Sequence, residues 1–296
     1  MSERADSSRE GRSRRPPPIG LIAAGGELPL ATARGIRRAG RTVGCVALAG
    51  QCDPTLRAHC DRFRRVGLIQ LGKWIRTLRR WGCDEAVMVG KVQKTRMYDP
   101  MVWMRYRPDL RAGKIWFVRL RADKRADRML GAVAEEMERS GVSMVDSTRY
   151  IPELLAEDGL MTRREPTPSQ WADIRFALPI VRQLGGLDIG QSVAVHDRDV
   201  VAVEAIEGTD AMIERAGGLC RRGGWTLVKL AKPEQDMRFD VPTVGPRTIE
   251  MMRLHGGRCL AVEAGRTILL DKPNLLYSAD AAGIAVVGLG VEDRVP

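Results

Sequence analysis

Residues 19–48 read IGLIAAGGELPLATARGIRRAGRTVGCVAL, and this stretch decides the fold that we predict. The apolar run at 19–24 predicts a buried strand, a helical stretch passes through Pro29 and stops at Gly40, and residues 43–48 predict a second strand. Proline is favoured in the first turn of a helix, and glycine is favoured just beyond its end. The stretch therefore predicts a strand–helix–strand unit of the kind that builds parallel sheets.

The turn between the predicted strand and helix contains Gly25 and Gly26. Backbone N–H groups at such a turn can hold a phosphate or a ribose. The turn lacks the G-x-G-x-x-G spacing and no acidic residue ends the second strand, so the dinucleotide fingerprint is absent. On pattern alone, a purely structural turn is an equally good interpretation. The same alternatives, ligand contact or exposed loop, apply to Lys91, which follows a third predicted strand at 85–89.

Helical and strand-like periods continue along the chain and divide it into parts. Helices are predicted at 71–81 and 127–140, and residues 52–65 are predicted to form a helix or an irregular turn. Beyond a proline-containing boundary, a second set of elements begins with a helix at 169–184 and a hairpin at 191–206. The sequence thus predicts an α/β protein with a disordered tail and two domains: the tail at 1–18, a Rossmann-like N-terminal domain with a parallel sheet at 19–160, and a C-terminal catalytic α/β domain with a mixed sheet at 165–296.

The composition is that of a globular protein. Hydrophobic residues make up 44% and charged residues 29% of the 296 positions, enough to build substantial cores. The longest apolar run, at 281–291, is too short to span a membrane, and no apolar core follows the N-terminal arginines as it would in a secretory signal. Six cysteines show no CxxC pairing and no zinc spacing, which favours reduced thiols in a cytoplasm.

Positive charge is concentrated in residues 57–128, the basic belt, which contain twenty Lys or Arg and seven Asp or Glu. A belt of this kind attracts phosphates in nucleic acid, in anionic lipid head groups or in a nucleotide. Residues 93–128 interleave basic with aromatic side chains, a pattern that suits single-stranded nucleic acid or a membrane surface, and equally an amphipathic helix. A GC-rich genome, which favours arginine, is the interpretation without function.

Residues 229–245 read KLAKPEQDMRFDVPTVG and hold the densest set of reactive side chains. The two prolines keep their predecessors out of the helical region, which predicts a rigid, extended loop. In an extended segment Lys232, Asp236, Arg238 and Asp240 share one face, and in a helix the lysine and both aspartates still line up. Either way, two carboxylates lie beside a fixed positive charge. A solvated, salt-bridged loop is the alternative interpretation.

A second polar cluster, formed by Glu207, Thr209 and Asp210, precedes a predicted helix. Thr209 or Asp210 would serve as the N-cap, and acidic groups at that end favour the helix dipole. Capping accounts for one acidic residue but not for the whole cluster. We therefore predict that the cluster converges on the same cleft as residues 232–240.

A family resemblance rests on four phrases: GLIAAGGELP at 20–29, DIGQSV at 188–193, AVEAIEGTDAM at 202–212 and KPEQDMRFDVPTVG at 232–245. Together they resemble the UDP-2,3-diacylglucosamine pyrophosphatases of lipid A biosynthesis, the LpxI type. The resemblance runs from about residue 19 to about residue 290 and is closest from 188 onward. Residues 92–125 are more basic and less similar, and the usual triple glycine reads AGG at 24–26.

The resemblance implies a magnesium-dependent hydrolase that cuts the pyrophosphate bond of UDP-2,3-diacylglucosamine into UMP and 2,3-diacylglucosamine 1-phosphate, lipid X. It implies a cytoplasmic protein that is peripheral to the inner membrane. The implied partners are a lipid-linked UDP-sugar substrate and an anionic membrane surface, with no nucleic acid. A homodimer is one possible assembly. The rival interpretations are a nucleic-acid-binding protein that uses the basic belt and another nucleotide-dependent enzyme on a Rossmann-like domain.

Pyrophosphate hydrolysis needs charge neutralised on phosphate oxygens and a positioned water. Asp236 and Asp240 are predicted to bind Mg²⁺, or one of them to bind the metal and the other to act as base. Lys232 and Arg238 are predicted to clamp phosphate oxygens, and Gln235 to orient the water or a phosphate. The predicted substrate-binding residues lie at the glycine turn, after the third strand and around the second polar cluster: Gly25, Gly26, Lys91, Gln191, Glu207, Thr209 and Asp210.

Overall fold

The computed structural model describes residues 16–92, 109–115 and 126–290. Most of the tail predicted at 1–18 lies outside these ranges, as does much of the aromatic part of the basic belt. Within the described ranges, no helix combines the length and the apolar character needed to cross a membrane.

The N-terminal domain is built on one parallel sheet. Its strands are β1 (Ile19–Ala23), β2 (Val43–Leu48), β3 (Arg62–Val66), β4 (Glu85–Val89) and β5 (Ser143–Met144), in the spatial order β3-β2-β1-β4-β5. Its helices are α1 (Leu28–Arg38), α2 (Leu71–Arg80), α3 (Leu110–Lys114) and α4 (Ala126–Arg139). The strand order reverses between β1 and β4, and ligands of open α/β sheets bind at the carboxyl ends of strands beside such a switch point.

The predicted strand–helix–strand unit is confirmed by β1, α1 and β2, and both strands are buried along their whole length. The prediction of a helix or an irregular turn for residues 52–65 is wrong in its second half. There, a 3₁₀ helix at Pro54–His59 is followed by β3. Because β3 is an edge strand with most of its positions in contact with solvent, its arginines obscured the strand pattern.

The C-terminal domain is built on a mixed sheet. The strands of this half are β6 (Gly159–Leu160), β7 (Ser192–His196), β8 (Asp199–Val203), β9 (Thr226–Lys229), β10 (Thr243–Val244), β11 (Cys259–Glu263), β12 (Ile268–Leu269) and β13 (Ala285–Leu289). The main sheet has the order β6-β13-β11-β9-β7-β8, and β10 pairs with β12 separately. The central strands β9, β11 and β13 are parallel, whereas β6, β7 and β8 pair antiparallel. The helices are α5 (Pro168–Gly186), α6 (Thr209–Leu219), α7 (Pro246–Leu254) and α8 (Lys272–Ala282). The prediction of two α/β domains, one parallel and one mixed, is confirmed.

The chain enters the second sheet near residue 159. A 3₁₀ turn at Pro152–Leu154 ends the first domain's last connection, and the N–H of Ala156 then donates to the carbonyl of Thr267 at 2.8 Å. β6 pairs antiparallel with β13 shortly afterwards. The start of the second sheet therefore falls inside the range 19–160 that was predicted for the N-terminal domain.

One segment of the C-terminal domain fastens the two domains together. Phe239 is 4% exposed and belongs to the hydrophobic core of the N-terminal domain, the cluster that also contains Ile22, Ile75 and Met137. Next to it, the N–H and the hydroxyl of Ser147 both donate to the carbonyl of Met237 at 2.9 Å. Burying an aromatic side chain stabilises a fold by about 1.5–3 kcal/mol, so this contact fixes where the segment lies.

Candidate active site

Residues 232–242, the 232–242 loop, fold into two successive turns. The N–H of Gln235 donates to the carbonyl of Lys232 at 2.9 Å, and the N–H of Phe239 donates to the carbonyl of Asp236 at 3.1 Å. Both bonds join a residue to the one three positions before it, as in β-turns. The prediction of an extended loop is therefore wrong, and a period of 2 does not decide which of its side chains share a face.

The side chain of Gln235 holds the second turn closed. Its Nε2 donates to the carbonyls of Phe239 and Asp240 at 3.2 Å each, and its Oε1 accepts from the N–H of Lys232 at 3.4 Å. These local bonds to backbone compete with an extended conformation, which explains the failed prediction. Asp240 closes the turn in the left-handed region, with φ of 57°, a conformation that aspartate and asparagine tolerate better than most residues.

The carboxylate of Asp236 is held in a defined position by Arg238. The Nε and Nη2 of Arg238 donate to its two oxygens at 3.0 and 2.7 Å, and the N–H of Arg238 donates to Oδ1 at 3.0 Å. Burial raises the pKa of Asp236, but the bonds from Arg238 outweigh burial and hold the pKa below its ordinary value. The side chain is 36% exposed, so the ionised carboxylate remains accessible.

Lys232 lies at the start of the loop and is largely buried. Its Nζ donates to Oδ1 of Asp188 at 2.5 Å, and the two side chains are 11% and 17% exposed. Asp188 lies in the connection between α5 and β7, so this ion pair ties the loop to that connection.

Across from the loop, the N-terminal domain presents the glycine turn and Lys91. The N–H of Gly25 donates to the carbonyl of Lys91 at 3.2 Å, and the N–H of Lys91 donates back to Gly25 at 2.9 Å. Gly90 has φ of 100°, and a Cβ placed on it would lie 2.7 Å from the carbonyl oxygen of Gly25. Only glycine permits this close approach at the switch point between β1 and β4.

The side chain of Lys91 reaches the C-terminal domain. Its Nζ lies 3.8 Å from the position that a Cβ of Gly208 would occupy. Gly208 is the N-cap of α6, and no side chain caps that end of the helix. A helix N-terminus carries unpaired N–H groups and a partial positive charge, so together with the ammonium of Lys91 it favours an anion.

Below the start of α6 lies a buried polar network formed by Ser192, Glu204, Thr209 and Lys229. The hydroxyls of Ser192 and Thr209 donate to the carboxylate of Glu204 at 2.5 and 2.7 Å. The Nζ of Lys229 donates to the hydroxyl of Thr209 at 2.8 Å and lies 3.6 Å from Glu204. Burial raises the pKa of Glu204, but Lys229 and the two hydroxyls outweigh burial and leave the pKa below its ordinary value.

The second polar cluster is divided among these surroundings. Thr209 joins the buried network, whereas Glu207 pairs with Arg215 at 2.6 Å and Asp210 pairs with Arg247 at 2.6 Å near the surface. Among the described residues, Oε1 of Gln191 is buried without a hydrogen-bond partner. At Gly26, with φ of 89°, an added Cβ would meet open space.

The described residues contain no group of three or more His, Cys, Asp or Glu placed to hold a metal ion. Magnesium commonly takes one or two protein carboxylates and completes its shell with phosphate and water. The donor chemistry of Asp236, ionised and partly exposed, fits that mode of binding.

Sequence reasoning missed several residues that shape the site: Asp188, Ser192, Lys229, Ser147 and the role of Glu204. A lysine that ends a strand otherwise buried throughout, as Lys229 ends β9, is the one signal that pointed to a buried ion pair. The others gain their roles from neighbours far along the chain, which no local pattern reveals.

The fold and the site define a two-domain α/β protein in which Lys91 of one domain lies beside the N-terminus of α6 in the other, and in which the 232–242 loop carries the ionised carboxylate of Asp236. The family model of the LpxI N-terminal domain matches residues 18–154, and that of the LpxI C-terminal domain matches residues 157–287. The chain therefore belongs to the LpxI family, and the family resemblance is confirmed. It is 34% identical over 286 residues to a protein of Caulobacter vibrioides named UDP-2,3-diacylglucosamine pyrophosphatase LpxI, covering 93% of this chain and 99% of the relative.

Proposed function

We propose that this protein hydrolyses the pyrophosphate bond of UDP-2,3-diacylglucosamine. Water adds to one phosphorus, the bond from that phosphorus to the bridging oxygen breaks, and that oxygen leaves on the other phosphate. The products are UMP and 2,3-diacylglucosamine 1-phosphate, which together take up the atoms of one water. The observation that carries the proposal is the 34% identity to the Caulobacter vibrioides pyrophosphatase along nearly the whole of both chains.

The anionic diphosphate is proposed to bind beside Lys91 and the start of α6. The ammonium and the helix N-terminus supply positive charge from opposite domains. Arg238 is proposed to add positive charge to this site, although its Nε and Nη2 donate to Asp236 and its Nη1 lies 3.6 Å from Glu138. A diphosphate at this position would touch both domains, so its binding would be sensitive to how they are joined.

Asp236 and Asp240 are proposed to hold Mg²⁺ together with the diphosphate. The metal, when bound, would neutralise charge on the phosphate oxygens. Asp236 supports the assignment because Arg238 keeps its carboxylate ionised while leaving it partly exposed. Gln235 is proposed to position Asp240, because its amide closes the turn that contains Asp240.

The acyl chains have an apolar surface near this site. Leu187 and Ile189 flank Asp188 and are 67% and 47% exposed, and Ile206 is 68% exposed. The two loops are adjacent, because a Cβ on Gly190 would lie 2.0 Å from the carbonyl of Glu204. Exposed apolar residues clustered beside a polar site suit a lipid-bearing substrate. We propose that the protein works in the cytoplasm, at the surface of the inner membrane, and these exposed apolar residues support the membrane contact.

The test is an assay of the full chain with UDP-2,3-diacylglucosamine in detergent micelles, in ¹⁸O-water. We expect UMP to be released with Mg²⁺ and its release to stop with a chelator. Label in UMP or in the diacylglucosamine phosphate would identify the attacked phosphorus. No UMP under either condition would overturn the proposed function, whereas release that survives the chelator would overturn only the metal assignment.

A further inference from the structure

The 232–242 loop starts just beyond the end of β9, and two side chains from elsewhere in the fold bond to the backbone there. The N–H of Ala231, a buried residue, donates to Oε2 of Glu263 at 2.9 Å. Nη2 of Arg266 donates to the carbonyl of Lys232 at 3.3 Å. Buried backbone groups need hydrogen-bond partners, and here side chains take the place of a neighbouring strand.

Glu263 and Arg266 also bond to each other. Nη1 of Arg266 donates to Oε1 of Glu263 at 3.0 Å, and the two side chains are 30% and 18% exposed. Each group therefore uses one polar atom for its partner and another for the backbone of the loop. A guanidinium is planar, so the positions of its two nitrogens are fixed relative to each other. Because Glu263 ends β11, which lies inside the main sheet, the pair ties the start of the loop to that sheet.

The carbonyl of Lys232 that accepts from Arg266 also closes the first turn of the loop. The N–H of Gln235, the residue before Asp236, donates to the same oxygen at 2.9 Å. A carbonyl oxygen has two lone pairs and can accept both bonds. A movement of this carbonyl therefore moves the turn that leads into Asp236, the carboxylate that Arg238 keeps ionised.

The far end of the loop is held by the same stretch of chain. The N–H of Ile268, two residues after Arg266, donates to the carbonyl of Pro242 at 2.8 Å, and β10 then pairs with β12. Residues 263–268 thus bond to both ends of the loop. The carboxylates of Asp236 and Asp240 lie between these two attachments, so their positions depend on both.

We propose that Arg266, oriented by Glu263, is a positioning residue for the carboxylates of the 232–242 loop. This inference rests on the proposed function, which places Asp236 and Asp240 at the reacting centre. Arg266 acts through the backbone of Lys232. A displacement of about 1 Å at a reacting group can cost about 10²-fold in rate, whereas a partly exposed ion pair contributes little to stability. The role of Arg266 should therefore appear in turnover more than in unfolding.

The first test measures kcat and KM for UDP-2,3-diacylglucosamine, together with Tm, in the full chain carrying Arg266→Ala. We expect kcat to fall by about 10–100-fold, because the loop loses the donor that fixes its first turn. The KM should stay within about threefold of the wild-type value, since Arg266 is not proposed to touch the substrate. The Tm should fall by less than about 3 °C. An unchanged kcat would overturn the proposal, and so would a raised KM with unchanged kcat, which would make Arg266 a substrate-binding residue.

Two further variants control this test. Arg253→Ala also removes an arginine that pairs with the glutamate three residues before it, Glu250 on α7, and it should match the wild type in all three quantities. Arg266→Lys keeps a donor and a positive charge but lacks the planar fork, so its kcat should lie between the values for Arg266→Ala and the wild type. A kcat of Arg266→Lys no higher than that of Arg266→Ala would overturn the proposal.

The second test does not depend on the reaction. Hydrogen exchange, read out by mass spectrometry of peptides that cover the 232–242 loop, reports the bond from the N–H of Gln235 to the carbonyl of Lys232. In Arg266→Ala this exchange should be about tenfold faster than in the wild type. Peptides of α8 are the internal control and should exchange at the wild-type rate. Unchanged exchange in the loop would overturn the proposal.

The two proposals fail differently. Release of UMP from the UDP-sugar by the wild type, with kcat and loop exchange both unchanged in Arg266→Ala, would remove the positioning role and leave the hydrolase standing. Faster loop exchange in Arg266→Ala, with no hydrolysis of the UDP-sugar by the wild type, would keep the attachment of the loop to Arg266 and remove the proposed reaction.

Discussion

The 232–242 loop and the buried polar network each hold one carboxylate ionised, but by opposite means. In the network, Glu204 is 10% exposed and is surrounded by a lysine and two hydroxyls, which compensate its negative charge within the fold. In the loop, Asp236 is 36% exposed, and its negative charge is compensated by one arginine two residues away. Both pKa values lie below the ordinary range.

This difference separates a carboxylate that builds structure from one that is available for chemistry. A buried charge whose hydrogen bonds are all made inside the protein has nothing left to offer a ligand, and it costs stability when it is disturbed. A partly exposed carboxylate can exchange solvent for a ligand without disturbing the core. We therefore expect substitutions in the loop to change turnover and substitutions in the network to change stability.

Asp236→Asn should give the largest effect on turnover. Loss of one group that stabilises charge at the reacting centre costs about 10²–10³-fold in kcat, and we expect at least that. The free energy of unfolding should change by less than about 1 kcal/mol, because the carboxylate is partly exposed. Turnover of UDP-2,3-diacylglucosamine and urea denaturation measure the two quantities.

The control is Asp197→Asn, an exposed residue of the β7–β8 turn with φ of 51°, where asparagine is equally well tolerated. It should match the wild type in both measurements. Near-normal turnover in Asp236→Asn would remove this residue from the active site.

Lys229→Met should give the largest effect on stability. It leaves Glu204 buried without its ion partner, and breaking a buried pair in this way costs about 3–5 kcal/mol. The double variant Lys229→Met, Glu204→Gln removes the orphaned charge and should recover part of the loss. If urea denaturation shows the double variant to be less stable than Lys229→Met, the pair is not the source of the effect.

Phe239→Leu tests the connection between the two regions. The smaller side chain leaves a gap in the N-terminal core, with an expected loss of about 1–2 kcal/mol. Because Phe239 anchors the turn that follows Asp236, kcat should fall while the Kd of UMP stays near the wild-type value. A variant with lowered stability but normal kcat would show that the anchor contributes packing only.

Acid should destabilise the protein through Glu204. Since its folded pKa lies below the ordinary value of 4.5, its contribution to stability is present above that pH and is lost as the pH falls through the folded pKa. The free energy of unfolding should therefore decline below about pH 4.5 in the wild type, with a shallower slope in Glu204→Gln. Parallel slopes for the two proteins would assign the acid sensitivity to other carboxylates.

Local patterns predicted the architecture well, because period and capping are properties of neighbouring residues. The unit at 19–48 formed as its apolar runs and Gly40 indicate, and the parallel and mixed sheets followed. The edge strand β3 was not predicted, because solvent exposure removes the apolar alternation that marks a strand. The 232–242 loop escaped because one glutamine side chain closed a turn where prolines alone favour extension.

Interactions over long separations set the limit for the site. The pairing of Lys232 with Asp188 joins residues 44 positions apart, and Ser147 reaches Met237 across 90 positions. Nothing in either local sequence indicates its partner. The residue types predicted that phosphate-binding groups and carboxylates are present. Only the fold shows that Glu204 is buried whereas Asp236 is partly exposed.

The smallest effects should come from the exposed pair of Asp210 and Arg247, whose side chains are 45% and 78% exposed. Asp210→Asn should alter the free energy of unfolding by less than about 1 kcal/mol, since exposed ion pairs contribute little. Its KM for the UDP-sugar is the sharper measurement, because Asp210 lies in the first turn of α6, where the diphosphate is proposed to bind. Removing this negative charge should leave KM unchanged or lower it by a few fold, since the helix N-terminus becomes more positive. A raised KM would instead place Asp210 among the groups that bind the substrate directly. The reactive carboxylates would then include one in the first turn of α6 as well as Asp236.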